Sequence, residues 1–225
     1  NLLMVNAQTD LLSFGFKTGK AYISFNATSK TYGRFTYPKD FFGLAWKGNG
    51  GFLGETANFK GLGVDAGAYT EYAVGYTRDI FDDGRLKIGG KLKYVNGIAN
   101  IYTSRSDISL FTDASFFNLT ANSDFQVNAA GPLGNAIDGD STNELPANTA
   151  PTSYFFGKNH GFGADLGFSW EVVPEKVRVS GSVVDLGFIR WKDTPVNFYS
   201  DKATFTFEGI DITDFPQGDS LNGNY

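Results

Sequence analysis

The segment 161–186 restricts the fold of this chain more than any other part of the sequence. It reads GFGADLGFSWEVVPEKVRVSGSVVDL and predicts two strands of about 11 residues joined by a turn at 172–175. Side chains alternate between the two faces of a strand. One face of the first strand therefore carries only apolar side chains, namely Phe162, Ala164, Leu166, Phe168 and Trp170. The opposite face carries glycines and small or charged residues.

The predicted turn also sets a register for this hairpin. It places Trp170 opposite Val177 and Leu166 opposite Gly181, so that the apolar face continues across both strands. Strands of about 9 to 11 residues, tilted at about 45°, cross the hydrocarbon core of a bilayer, and a membrane β-barrel is therefore the first interpretation. A soluble antiparallel sheet with one solvated face gives the same alternation. Both interpretations stay open at this point.

Composition favours the membrane interpretation and excludes several others. The 225 residues include 28 Gly, 22 Phe and 11 Tyr; aromatic side chains suit lipid-facing positions, and glycines suit a crowded barrel interior. No Cys is present, which excludes disulfides and thiolate metal sites. The net charge of -5, with both signs scattered, argues against a nucleic-acid surface. No signal peptide opens the sequence, and we expect a processed or incomplete chain.

Two further hairpins are visible. Apolar residues at 12, 14 and 16 alternate with small or polar ones, and after a turn at 18–20 the pattern continues at 23, 25 and 27. A third hairpin joins 64–77 to 86–96, with Asp83 and Gly84 supplying the turn chemistry. In the register that matches the apolar faces, Glu71 lies opposite Lys93, which predicts a cross-strand ion pair.

A short helix is predicted at 36–48, where YPKDFFGLAW breaks the strand rhythm. Pro38 suits a helix start, Asp40 suits its positive end, and Gly48 follows its last turn. Three placements remain open for this helix: a plug inside a barrel, an interfacial helix, or a cap on a soluble sheet. As a plug it would pack through its aromatic side chains, Phe41, Phe42 and Trp46.

Weaker strands are predicted at 101–111, 116–128 and 203–210. Threading all strands as an up-and-down meander puts the turns at 18–20, 80–84, 112–115 and 172–175 on one side. The longer connections at 29–63, 129–160 and 187–202 fall on the other side. Short periplasmic turns and long external loops are typical of outer-membrane barrels. The sequence thus predicts an all-β protein, an antiparallel up-and-down transmembrane β-barrel formed by residues 1–225, or part of one, with residues 129–160 as a long external loop.

The sequence offers no catalytic, cofactor-binding or metal-binding set. His160 has no partners for a triad, and the oxygen-rich run at 138–144 lacks the full calcium-loop pattern. The glycines at 48–51 and 61–63 predict turns. Charged residues on the polar faces of the strands are candidates for a polar lumen, where they either contact a solute or are simply solvated and paired: Asp65, Glu71, Lys91, Lys93 and Asp165.

Three stretches also carry a resemblance to a known family: FGFKTGKAYISFNATSKTYGRFTYPKDFF, YTEYAVGYTRDIFDDGRLKIGGKLKYVNGIANIYT and SVVDLGFIRWKDTPVNFYSDKATFTFEGIDI. They resemble a family of Bacteroidota outer-membrane barrel proteins without an assigned role, which is distantly similar to FadL-type fatty-acid transporters and to PorV, the barrel subunit of type IX secretion. The similarity covers most of the chain between about 11 and 212, and DLGFIRW at 185–191 is its most specific part. The resemblance implies an outer-membrane barrel with an inserted N-terminal segment, and it supplies no catalytic residues.

The functional expectation is a nonenzymatic outer-membrane β-barrel without a cofactor. It either transports or binds a small hydrophobic solute, or it acts as a subunit of an envelope or secretion complex; its partners are membrane lipid and that solute or complex. The alternative is a secreted soluble β-sandwich for adhesion or glycan binding, in which Trp170, Trp191 and nearby tyrosines form a sugar-stacking surface.

Overall fold

The computed structural model describes residues 1–81, 83–115, 118–137 and 155–208. These residues form nine strands in one sheet, two α-helices and a short 3₁₀ helix. The elements are β1 (Leu2–Thr18), β2 (Ala21–Thr36), α1 (Lys39–Lys47), the 3₁₀ helix (Asn49–Phe52), β3 (Thr56–Asn58), β4 (Gly63–Asp79), β5 (Leu86–Thr112), β6 (Leu119–Ala130), α2 (Pro132–Ile137), β7 (Asn159–Val173), β8 (Val177–Arg190) and β9 (Val196–Phe207). The assigned strand registers are antiparallel, which confirms the all-β class.

Neither helix in the described ranges is long and apolar enough to cross a membrane.

The chain divides into two compact units. Among the described residues, the first unit comprises 1–36, 63–81, 83–105, 126–137 and 155–199; the second comprises 37–62, 106–115, 118–125 and 200–208. In the first unit, neighbouring strands follow the order β1-β2-β4-β5-β7-β8. The predicted N-terminal hairpin is confirmed: Phe14 lies opposite Phe25, their ring centroids are 5.4 Å apart, and the connection is the short turn after Thr18.

The register of the β7–β8 hairpin differs from the predicted one. Trp170 lies opposite Val179, not Val177, and Leu166 lies opposite Val183, not Gly181. The strands continue to the pair Val173 and Val177, so the reversal is made by 174–176, later than the predicted 172–175. Between Leu166 and Trp170 the shift is two residues, so these side chains stay on their predicted faces. Beyond a further register shift, Ala164 lies opposite Leu186, not Val183.

The β4–β5 hairpin shows a similar shift. Glu71 lies opposite Val95, and Lys93 lies opposite Ala73, so the predicted directly opposed pair is wrong in register. The ion pair forms nonetheless along the diagonal, with 3.6 Å between Lys93 Nζ and Glu71 Oε1. In the turn, the backbone N–H of Arg85 donates to the carboxylate of Asp83 and lowers the pKa of Asp83.

Three predicted connections are also corrected. Strand β5 runs without interruption to Thr112, so the turn after it lies at the opposite end of β5 from the turn at 80–85. The predicted placement of 112–115 beside 80–84 is therefore wrong. Strand β2 continues to Thr36, and the connection predicted at 187–202 shrinks to 191–195, because β8 extends to Arg190 and β9 begins at Val196.

In the middle of β5 the pairing with both neighbouring strands changes. The β4–β5 register shifts between Ala68 and Tyr69, next to the point where Asn159 of β7 pairs with Gly97. Asn159 is buried; its amide donates to the Gly97 carbonyl at 3.2 Å, and its oxygen accepts the N–H groups of Lys192 and Asp193. This one side chain therefore connects the start of β7 to the middle of β5 and to the connection between β8 and β9. Of the predicted loop 129–160, residues 138–154 lie outside the described residues.

The second unit contains the predicted helix. Helix α1 follows Pro38 and ends at Gly48, which has φ of 66°. The Asp40 carboxylate accepts the backbone N–H of Asn58 at 2.9 Å and thereby connects α1 to β3. Strand β3 pairs with β5, with Ala57 opposite Leu110.

Candidate functional site

Burial in the first unit is inverted relative to a water-soluble sheet. Leu92 and Lys93 are neighbours on β5, yet Leu92 is 74% exposed and Lys93 is 6% exposed. The same contrast separates Leu166 of β7, at 63%, from Glu71 of β4, at 8%. Lysine and glutamate are rarely buried in soluble proteins, whereas leucine usually is. The polar face of this sheet is therefore its inner face.

The buried residues confirm that no conventional apolar core exists in the described residues. Most buried apolar residues are alanines, and only Phe59 and Val95 are larger. The buried polar and charged residues are as numerous: Thr28, Thr70, Glu71, Lys93, Asn96, Asn100, Thr112, Asn128 and Asn159. The large apolar side chains of β1, β7 and β8 lie instead on the exposed surface.

Five charged side chains meet on the inner face, and we call them the charge cluster: Lys30, Glu71, Lys93, Asp165 and Asp185. Five neighbouring strands, β2, β4, β5, β7 and β8, contribute one residue each. Lys93 Nζ lies 2.6 Å from both Asp165 Oδ1 and Asp185 Oδ1. Lys30 Nζ lies 2.9 Å from Glu71 Oε2.

A bulge in the β7–β8 hairpin brings the two aspartates together. The register shifts between Ala164 and Leu166, and Asp185 adopts φ of 57°. The Asp185 backbone N–H then donates to Asp165 Oδ1 at 2.8 Å. A bulge redirects one side chain to the other face of a strand. Without it, strict alternation would place Asp185 among the exposed apolar side chains.

The charge cluster also shows that the first unit's sheet is strongly curved. Lys30 on β2 and Asp185 on β8 are four strand spacings apart, about 19 Å in a flat sheet. The four-carbon stem of a lysine spans only about 6 Å. Yet Lys30 Nζ lies 3.6 Å from Asp185 Oδ1. The sheet must therefore curl around its polar face until these side chains meet.

The charge cluster borders two recesses on the inner face. One recess, of about 280 Å³, is lined by Glu71, Lys93 and Asp185 together with Tyr32, Tyr69 and Trp191. The other, of about 420 Å³, is lined by Asp165 and Lys91 together with Ser24, Thr77, Gly167 and Ser182. The first is rich in aromatic rings, and the second is rich in small and hydroxyl-bearing residues. The five charges thus separate two chemically different spaces.

The carboxylates and ammonium groups of the charge cluster largely neutralise one another. Its three carboxylates are matched by two ammonium groups, so the formal balance is one negative charge. Both ammonium groups bridge several carboxylates, which leaves no open set of acidic ligands. Accordingly, the described part of the chain contains no group of three or more acidic or histidine ligands that could hold a metal ion.

Only some of the predicted site residues lie together in the structure. Glu71, Lys93 and Asp165 are brought together, whereas Lys91 is exposed and forms no ion pair with any described residue. Asp65 lies elsewhere on the sheet, opposite Arg34. Sequence reasoning missed two members of the charge cluster, Lys30 and Asp185. The signal for Asp185 was its place in DLGFIRW, while Lys30 lies in a stretch predicted to be a connection.

The predicted plug residues contact one another. The ring centroids of Phe42 lie 5.3 Å from Phe41 and 5.1 Å from Trp46, and Trp46 is 78% exposed. Their use as a plug stays a prediction.

His160 lies outside the charge cluster. Its Nδ1 is 2.6 Å from the hydroxyl oxygen of Tyr94. The oxygen-rich run at 138–144 lies outside the described residues.

The segment 185–191 serves the inner face. A Cβ at Gly187 would approach the Phe162 carbonyl oxygen to 2.5 Å, so the close pairing of β7 and β8 requires glycine there. Trp191 covers Gly97, where a Cβ would come within 2.7 Å of the indole ring. The segment therefore contributes the charge of Asp185, the close strand pairing at Gly187 and the aromatic ring of Trp191.

The chain belongs to a protein family described as a family of unknown function, DUF5723, whose family model matches residues 1–224. No curated protein and no solved structure matches the chain. The likeness to FadL-type transporters and to PorV therefore stays an expectation.

Proposed function

We propose that this chain forms a nonenzymatic outer-membrane β-barrel, or a part of one, with the polar face of the first unit lining its interior. The observation that carries the proposal is the inverted burial of Leu92 and Lys93. Leaving one large apolar side chain exposed to water forgoes about 1.5 to 3 kcal/mol. The exposed leucines, valines and phenylalanines would be very unfavourable together in water, whereas lipid contact removes that cost.

The curvature of the sheet supports closure. Within the described residues, β1 pairs only with β2, and β8 pairs only with β7, so each has one open edge. Unpaired edge groups are expensive in hydrocarbon, and closure is the arrangement that satisfies them. A sheet already curved enough to join Lys30 to Asp185 brings its outer strands toward that closed arrangement.

The arrangement of the interior favours a constricted barrel over an open pore. The charge cluster stands between the two recesses, and a solute moving from one to the other must separate its ion pairs. We therefore assign the barrel one of two roles: binding or gated passage of a small hydrophobic solute, with its aromatic recess as the holding site, or a subunit of an envelope complex.

The soluble β-sandwich alternative lacks its binding surface. Trp170 is exposed beside Phe168 on the apolar side of β7, whereas Trp191 covers Gly97 on the polar side. Side chains on opposite faces of a sheet cannot stack on one sugar.

Spin labels at successive positions of β7 test the proposal. Labels at Leu166 and Phe168 should be accessible to oxygen and shielded from a water-soluble nickel complex in reconstituted membranes. Labels at the matched controls Gly167 and Ser169 should show the opposite preference. Uniform access to the nickel complex, together with solubility in the absence of detergent, would reject the membrane assignment.

A further inference from the structure

A groove of about 610 Å³ lies on the exposed apolar face of the first unit. It crosses β4, β5, β7 and β8 and is lined by Tyr76, Ile88, Gly90, Leu166, Phe168 and Gly181. Its volume is within the range of about 300 to 1,000 Å³ that is usual for small-ligand sites. The charge cluster is on the other face of the same strands. The groove shares Gly89, Gly167 and Ser182 with the 420 Å³ recess, and its large exposed side chains distinguish it from the aromatic recess.

Two glycines form the floor of the groove. Gly90 lies opposite Tyr76 and Leu166, and Gly181 lies opposite Phe168, so each interrupts a row of large side chains. A Cβ at Gly181 would lie 2.9 Å from the Phe168 ring, and one at Gly90 would lie 3.1 Å from the Leu166 side chain. Any side chain at these positions would therefore reduce the space that the groove provides.

An arginine stands beside the groove. Arg78 is two residues after Tyr76 on β4, shares its face by alternation, and lies directly opposite Ile88. It is exposed and forms no ion pair with any residue in the described ranges. Strand β4 ends at Asp79, which places Arg78 at the turn end of the strand. There a charge on a lipid-facing surface is tolerated far better than at the middle of the bilayer.

We propose that this groove binds one acyl chain of a phosphate-bearing lipid, while Arg78 holds the lipid phosphate. The inference rests on the proposed membrane location of the chain. The charge complementarity is specific, because a guanidinium binds phosphate oxygens through two parallel N–H groups. The glycine floor admits a chain where bulkier side chains would exclude it, and the groove is continuous with the lipid-facing surface.

The test measures lipid retained by the full chain in detergent, using native mass spectrometry. The probes are phosphatidylglycerol, diacylglycerol with the same chains, and glycerol phosphate. We expect retention of phosphatidylglycerol above both other probes. Arg78→Gln should lower phosphatidylglycerol affinity about tenfold, the loss expected for one charge-assisted pair. Gly181→Val should lower retention of phosphatidylglycerol and diacylglycerol alike.

Arg178→Gln is the matched control, because Arg178 is an exposed arginine on the polar side of β8, 3.9 Å from Glu171. It should leave retention of phosphatidylglycerol unchanged.

If Arg78→Gln fails to fold, Arg78→Lys replaces it in the test. Lysine keeps the charge but loses the paired N–H groups, so this variant should show a smaller loss of phosphatidylglycerol affinity. Equal retention by the wild type and both Arg78 variants would overturn the proposal. Equal retention of glycerol phosphate and phosphatidylglycerol would also overturn the proposal, because it would indicate an anion site that binds no acyl chain. A protein that stays soluble without detergent would instead reject the membrane location itself.

Discussion

The two faces of strands β4, β5, β7 and β8 differ in what they leave exposed. One face gathers the charge cluster, in which Lys93 is only 6% exposed; the other presents Leu92 at 74%. A water-soluble sheet with one wet face has the same alternation with the opposite burial. The alternating sequence pattern alone therefore does not reveal which face is inside. Curvature toward the polar face provides that information.

The largest expected effect comes from breaking the buried side of this comparison. Lys93→Met leaves Asp165, and the exposed carboxylate of Asp185, without their shared ammonium partner. Removing one partner of a buried ion pair costs about 3 to 5 kcal/mol. Chemical unfolding in detergent should show that loss. Lys91→Met is the control on the same strand and should change the free energy of unfolding by less than about 0.5 kcal/mol. Equal effects would mean that the charge cluster contributes nothing specific.

A change on the exposed face is expected to be nearly as large. Leu166→Arg places a charge near the middle of β7, and on a lipid-facing strand it should cost about 2 to 4 kcal/mol. Unfolding from lipid vesicles measures this free energy. Leu166→Met is the control and should have little effect. If Leu166 faces water, the arginine variant should be as stable as wild type, and that outcome would remove the lipid-facing assignment.

Lys30→Met should have a smaller effect than Lys93→Met, because Lys30 Nζ has one close carboxylate among the described residues, Glu71 at 2.9 Å, while its distance to Asp185 is 3.6 Å. Loss of one hydrogen bond to a charged group predicts about 1.5 to 3 kcal/mol of destabilisation. It also removes the contact that joins β2 to β8 across the inner face. Vesicles containing this variant should release small solutes more rapidly than vesicles containing wild type. Unchanged release would show that the cluster does not restrict passage.

The smallest effect is expected at an exposed ion pair of the second unit. Lys60 and Asp107 are 3.2 Å apart, but their side chains are 70% and 57% exposed. Such pairs contribute about 0 to 1 kcal/mol. Lys60→Met should therefore have a free energy of unfolding close to that of the wild type. Any small loss of stability should vanish in high salt, which screens exposed charges. A loss as large as that of Lys93→Met would show that burial does not explain the difference between the two pairs.

Much of the fold was predictable because strands have a period of two. The alternation around Phe14, Phe25 and Leu166 predicted the hairpins and their faces, and Pro38, Asp40 and Gly48 predicted the helix. Registers were less predictable. The turns proved to be placed differently by a residue or two, and the pairs involving Trp170 and Glu71 shifted accordingly. Such shifts of two residues change partners without changing faces.

One face of each strand is apolar and the other is small or charged because of alternation, which is a local property that can be read from the sequence. Tertiary contacts make the polar face concave and keep β5 one strand instead of two. Strand pairing also turns Asp185 inward, because the bulge at Val184 and Asp185, opposite Asp165, forms only against a partner strand. The charge cluster depends on all of these features, since its members come from five strands between residues 30 and 185. Contacts of that range depend on curvature and register, which no local pattern specifies.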